Sequence, residues 1–233
     1  PDGEGYWLHQ NIGLGHRRLA IIDLSDNGHQ PMISFDGRFV LTFNGEIYNY
    51  KEIKLELKNK GYLFKGDSDS EVLMYSLAEW GEDALLKFNG MFSFAFWDNQ
   101  EKTLLLARDR YGIKPLYYSL QNNRLCFGSE QKVITSQQSF KRKLNKEALV
   151  EYFTFQNFFT KQTLLEDISL LPSGYYARFK ESSKNNQKID LTKYWDYDFR
   201  EPDKGVNKSE YLEELDRLFK QAINRQLIGD VEI

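Results

Sequence analysis

At 233 residues the chain is long enough to bury one large core or two modest ones. Its 31 Lys and Arg against 34 Asp and Glu leave a net charge of −3, which speaks against nucleic acid or a membrane surface as principal partner. One cysteine excludes an intrachain disulfide framework and fits a reducing, cytoplasmic setting, and no apolar run approaches the ~18 residues of a membrane span.

In chain order, Ile12, Leu14 and His16 alternate with small residues and 19–22 is an apolar run, so a strand or strand pair is expected. Gly13-Leu14-Gly15 is not a dinucleotide fingerprint, because Arg18 holds the third glycine's place. The planar fork of Arg18 suits an α-carboxylate through two parallel hydrogen bonds, although a surface ion pair explains it as simply. Alternation puts Arg17 on the opposite face. Residues 38–43 read as a strand. Tyr50, Ile53 and Leu57 recur at helical spacing, with Gly61 as the stop. Asn44-Gly45-Glu46 is therefore expected on a strand-to-helix turn. There a bare Gly N–H and the Asn side-chain amide are two donors suited to an oxyanion, against the simpler reading of a tight turn.

Asp67-Ser68-Asp69-Ser70-Glu71 precedes a helical pattern over 72–80 that Gly81 ends. Ser68 and Glu71 have capping-box spacing, and plain capping accounts for any one of these acids. Val72, at the position where a calcium loop needs its turn glycine, speaks against one. Residues 82–88 read as a short helix. Phe92, Phe94 and Phe96 mark an inner strand, and 103–107 another. Arg108-Asp109, beside the Gly112-to-Pro115 turn, either takes part in catalysis or locks the loop. Asn122-Asn123 reads as a hairpin turn before a strand over 125–128, in which Cys126 serves as a small buried hydrophobe. Lys141-Arg142-Lys143 is a solvated cluster, and 144–155 is a helix whose aromatics need a partner surface. A turn at 171–174 leads into a strand, 180–188 is a hairpin loop or flexible tip, and 198–207 is the best linker. Residues 209–227 form an amphipathic helix.

Asn44-Gly45-Glu46-Ile47-Tyr48-Asn49-Tyr50 closely resembles the glutamine-site signature of the glutamine-dependent asparagine synthetase family, whose amidotransferase domain is of the class II, N-terminal-nucleophile kind. The resemblance extends along the chain. It takes in Pro1-Asp2-Gly3, the segment from His16 to Ile21 and the segment from Arg108 to Tyr118. It continues in Ser129-Glu130, Leu171-Pro172-Ser173-Gly174 and Tyr194-Trp195. Ala20 stands where Ser is common in the family. The resemblance implies an α+β fold, a four-layer αββα sandwich of antiparallel sheets over 1–190. Residues 191–233 would be a linker and the first helix of an α/β synthetase domain.

It also implies roles. Asn44 and Gly45 would form the oxyanion hole. Arg18 would bind the glutamine carboxylate and Asp69 its ammonium. Leu19, Ala20, Ile21 and Ile22 would line the pocket with backbone atoms, and Glu46 would lie on the same side. On this reading both ends look cut: the nucleophilic cysteine would lie upstream and the ATP-pyrophosphate loop downstream, so the chain alone is expected to be inactive. ATP and magnesium would belong to the synthetase domain, with no cofactor or metal held by this stretch. L-glutamine and the synthetase domain are the expected partners, and a homodimer is compatible. Activated aspartate is the expected acceptor. A different carboxylate acceptor and a non-catalytic scaffold are the alternatives.

Overall fold

The computed structural model describes residues 3–19, 25–180, 189–200 and 207–227. Two strands, β1 (Gly3–His9) and β2 (Ile12–Arg18), make a hairpin of their own. Then come β3 (Met32–Ile33), β4 (Phe39–Ile47), α1 (Tyr50–Asn59), α2 (Asp69–Trp80), α3 (Ala84–Lys87), β5 (Gly90–Asp98) and β6 (Thr103–Arg108). The chain continues through β7 (Tyr117–Gln121), β8 (Arg124–Gly128), α4 (Gln131–Thr135) and α5 (Lys146–Phe155). It ends with β9 (Ser169–Leu170), β10 (Tyr175–Lys180), β11 (Asp190–Lys193) and α6 (Lys208–Gln226). A six-stranded antiparallel sheet has the order β11-β10-β6-β5-β4-β3, and a three-stranded sheet the order β8-β7-β9.

The alternation in β5 explains the layering. Phe92, Phe94 and Phe96 join Leu41, Phe43 and Ile47 against Ile53, Leu57, Leu73 and Leu77 of α1 and α2. Ala95 and Trp97 face the other way, with Val40, Leu104 and Leu106, onto Leu116, Tyr118 and Leu171 of the second sheet and its flanks. A central strand covered on both faces has no polar side to show, which is why it reads as unbroken apolar sequence. Each such side chain contributes about 1.5–3 kcal/mol by leaving water. The α+β sandwich of antiparallel sheets is thus the fold that forms.

The helices start and stop largely where local chemistry directs. Tyr50, Ile53 and Leu57 are the buried stripe of α1, and α2 is closed by Gly81 at a positive φ of 58°, which glycine adopts without a Cβ penalty. Ser68 caps α2 by accepting the Ser70 N–H. The reciprocal half of the expected capping box is not made. Glu71 instead accepts the backbone N–H groups of Lys65 and Gly66, because the incoming loop folds back over it. The helix expected over 82–88 is a 3-10 turn at Gly81–Asp83 followed by α3. Leu144 lies ahead of α5, bridged to Leu165, and Asn145 is the cap. Asn122 and Asn123, at φ 51° and 59°, form the two-residue hairpin turn that their sequence signals. Residues 181–188 and 201–206, within the expected loop and linker, lie outside the described residues. α6 is amphipathic as expected and exposed along its length. No helix among the described residues is long and apolar enough to cross a membrane.

Candidate active site

Asn44, Gly45 and Glu46 are not on a turn. β4 continues to Ile47, and the three residues pair with Ser93, Phe92 and Met91 of β5. The Asn-Gly pair suggested a break, but here glycine serves the strand. Gly45 has φ 152°, and a Cβ on it would collide with the Met91 carbonyl and the Phe92 backbone. The strand-to-helix turn follows at 48–49. There the Asn49 side chain accepts from Asn89 N–H (2.9 Å) and donates to the Lys87 carbonyl (2.9 Å).

Being in a strand decides where the Gly45 N–H points. Gly45 and Phe92 are opposed, yet both backbone groups of Phe92 bond to Asp109: its N–H to Oδ2 (3.2 Å), its carbonyl to the Asp109 N–H (2.8 Å). The pair therefore exchanges no hydrogen bond, and Gly45 turns its N–H to the other edge of β4. The neighbours on that edge agree. Phe43 N–H donates to Gln30 Oε1 (2.6 Å) and Ile47 N–H to Asp69 Oδ2 (3.0 Å). β3 covers this edge only at Val40 and Leu41. Beyond it, no strand among the described residues pairs with the edge, which has a backbone donor at its centre, Gln30 at one end and Asp69 at the other.

Asp69 opens α2 and is 5 % exposed. Burial pushes its carboxyl up to about 7, the Ile47 hydrogen bond opposes this, and the nearby Glu46 charge adds to it. Glu46 is half-buried and its carboxyl is also raised by burial, with Lys114 pulling the other way. Asn44 projects to the sheet-to-sheet side, where its Nδ2 donates to Ser129 Oγ at 3.3 Å. Arg18, at the end of β2, donates from Nη1 to the Ser25 carbonyl (3.0 Å). Its guanidinium lies so close to Gly28 that a Cβ there would collide with it. His16, two residues before it, has its pKa lowered to about 4, chiefly by burial and then by Arg18 and His29, so the ring is neutral at physiological pH.

Residues 1–195 match the family described as the glutamine amidotransferase domain. The chain belongs to that family. Asparagine synthetase [glutamine-hydrolyzing] 1 of Bacillus subtilis is 45% identical over 67% of this chain and 24% of its own length. A putative asparagine synthetase [glutamine-hydrolyzing] 2 of Methanocaldococcus jannaschii is 33% identical over 100% of this chain and 48% of its own. Amidase chry2 of Gibberella zeae is 32% identical over 100% of this chain and 34% of its own. The chain thus spans between a quarter and a half of the length of these relatives. Among solved structures, the glutamine phosphoribosylpyrophosphate amidotransferase of B. subtilis has a TM-score of 0.53 at 18% identity, covering 78% of this chain and 35% of that one.

In this glutamine amidotransferase domain, then, Gly45 and Asp69 lie on one edge and Asn44 and Glu46 on the same strand. Arg18 approaches from the hairpin. Ala20, Ile21 and Ile22 lie outside the described residues, and the Leu19 side chain is exposed. Arg17 faces away, as alternation predicts, and lies 3.7 Å from Glu4 in an exposed pair. Arg108 and Asp109 lock a loop. The guanidinium donates to the carbonyls of Gly112, Lys114 and Leu171, and the carboxylate accepts from Phe92, Tyr111, Ile113 and Lys114. Cys126 in β8 is half-buried rather than fully enclosed; burial pushes its thiol up, and its Sγ accepts from Gln137 Nε2 at 2.8 Å. The sequence does not single out Gln30 at all, and Ser129 enters it only as part of the family resemblance, not at this site. The only local sign of Gln30 is a polar residue before Pro31, and nothing local reveals that Ser129 meets Asn44.

Proposed function

We propose that this chain is the glutamine-handling part of a glutamine-dependent asparagine synthase, a cytoplasmic enzyme with 1–190 as amidotransferase domain and 191–233 leading into a synthetase domain. L-glutamine lies against the open edge of β4, its α-ammonium at Asp69, its α-carboxylate at Arg18 and its amide at Asn44 and Gly45. The backbone of 19–22 and the Glu46 carboxyl complete the pocket. The carrying observation is the edge itself, which puts the outward Gly45 N–H between the bonded N–H groups of Phe43 and Ile47, with a buried carboxylate at one end. A substrate ammonium beside Asp69 returns that carboxyl to its charged form. Recognising both charged ends of the amino acid is what rejects a simple amide, which leaves a buried charge unpaired.

In the reaction, a cysteine thiolate at the mature N-terminus of the enzyme attacks the glutamine amide carbon, its own α-amine acting as base. The carbonyl oxygen becomes an oxyanion that the Gly45 N–H and the Asn44 amide stabilise; the C–N bond breaks as the protonated α-amine hands its proton to the leaving ammonia, and water then hydrolyses the thioester to glutamate. The synthetase domain would use ATP and magnesium to activate the aspartate carboxylate that the ammonia then amidates. The full set of Arg18, Asn44, Gly45 and Asp69 argues against a scaffold, which has no use for it. A second reading rests on the Gibberella zeae relative, named an amidase rather than a synthetase. It keeps the glutamine chemistry and changes the acceptor, and assaying the full-length enzyme with aspartate against other carboxylates separates the two.

The direct test is a titration of the ¹⁵N-labelled chain with L-glutamine, which needs no nucleophile. Saturable shifts are expected at Gly45, Ile47 and Ser70. Their absence at concentrations well above ~1 mM, the upper range of substrate constants, overturns the reading.

A further inference from the structure

Gln30 is 5 % exposed and sits where three elements meet. Its Oε1 accepts from the Phe43 N–H at 2.6 Å, one residue before Asn44, and its Nε2 donates to Ser70 Oγ at 3.3 Å, one residue after Asp69. The amide orientation is fixed by chemistry: a backbone N–H can only donate, so the oxygen faces Phe43 and the nitrogen is left for the serine. The segment around it also receives the hairpin. Gly5 of β1 packs so closely on the Gln30 carbonyl and the His29 ring that a Cβ there would collide with both, and Gly28 receives the Arg18 guanidinium in the same way. One buried side chain thus links β4, which carries Asn44 and Gly45, to the start of α2, which carries Asp69. Its own backbone is the floor on which the Arg18 hairpin rests.

We infer that Gln30 is a positioning residue for glutamine recognition: its amide bridges Phe43 N–H and Ser70 Oγ and so sets the distance between Asp69 and the Gly45 N–H. The inference rests on the glutamine reading above. A helix terminus tied to a strand by one two-ended hydrogen-bonding group keeps its spacing. Without the tie, the contacts among the described residues that hold α2 to this edge are apolar packing, which is non-directional, and the Asp69–Ile47 bond.

The test measures L-glutamine affinity of the chain by ¹⁵N titration in Gln30→Met, Ser70→Ala, the double variant and Asp69→Asn, each with its melting temperature. Gln30→Met is expected to weaken binding by about tenfold and Ser70→Ala by about threefold, with the double variant no weaker than Gln30→Met alone, because both break one link. Factors that multiply in the double variant, or Gln30→Met binding as wild type, overturn the positioning role. If Gln30→Met fails to fold, Ser70→Ala decides: weaker binding at an unchanged melting temperature supports the role, and unchanged binding ends it. Asp69→Asn separates the two levels. If it binds as tightly as wild type, or wild type does not bind, the glutamine reading fails and takes this inference with it. If Asp69→Asn weakens binding while Gln30→Met does not, the positioning role alone falls.

Discussion

Two buried aspartates of this domain, Asp109 just after β6 and Asp69 at the start of α2, have opposite fates. Asp109 is completely buried beside Arg108, and its oxygens accept four backbone N–H groups while Arg108 takes up three carbonyls. Every polar side-chain atom of that pair is directed at the chain's own backbone, which is how a loop without regular structure is held in one shape. Asp69 is almost as deeply buried, but burial pushes its carboxyl up to about 7 despite the Ile47 N–H bond, and the charge that acts on it is another acid, Glu46. A charge closed off by backbone donors marks a scaffold. A desolvated acid with an acid for its charged neighbour, at the end of an open strand edge, marks a place for a ligand's cation.

Removing Asp109 should give the largest effect on stability. Asp109→Ala strands several buried N–H groups and is expected to destabilise the chain by about 3 kcal/mol or more, read from a denaturant melt. A loss under ~1 kcal/mol would show that water replaces the carboxylate. Asn44→Ala should do the reverse, leaving the melt nearly unchanged. In the full-length enzyme proposed above, glutamine-driven synthesis should fall by about 10²–10³-fold while synthesis from added ammonia persists. Equal loss of both would make Asn44 a folding residue.

Asp69→Asn sharpens the contrast through pH. The carboxyl ionises near 3.8 unfolded and about 7 folded, so across that window the folded protein keeps a proton that the unfolded chain has lost. Stability is therefore lost as pH rises through it, and Asn removes that slope. The variant should gain on wild type between about pH 4 and about pH 8, by roughly 2–4 °C in Tm for each ~1 kcal/mol. Its glutamine affinity should fall by about 30-fold or more. A Tm difference that does not vary with pH would show that another group titrates. The smallest effect belongs to the exposed Arg17–Glu4 pair: Arg17→Ala is expected within ~0.5 kcal/mol of wild type. Arg18→Ala, one residue on, should weaken glutamine binding. If the two variants behave alike, the alternation of β2 does not separate a surface arginine from a binding one.

Much of this was readable in the residues alone. The period-two aromatics of β5, the Tyr50-Ile53-Leu57 stripe of α1, the Ser68 cap and the Asn122-Asn123 turn each depend on neighbours within a few positions, so the sequence states them directly. The run from Asn44 to Tyr50 likewise carried the family. What it could not state was that Gly45 belongs to a strand, that Glu71 turns to the loop rather than to its own cap, or that Gln30 joins β4 to α2. Those depend on which backbone donors remain uncovered once strands are in register. Here that follows from β3 being two residues long and from Asp109 engaging both backbone groups of Phe92. Hydrogen-bond partners far apart in the chain are chosen by the fold, and local periodicity holds no record of them.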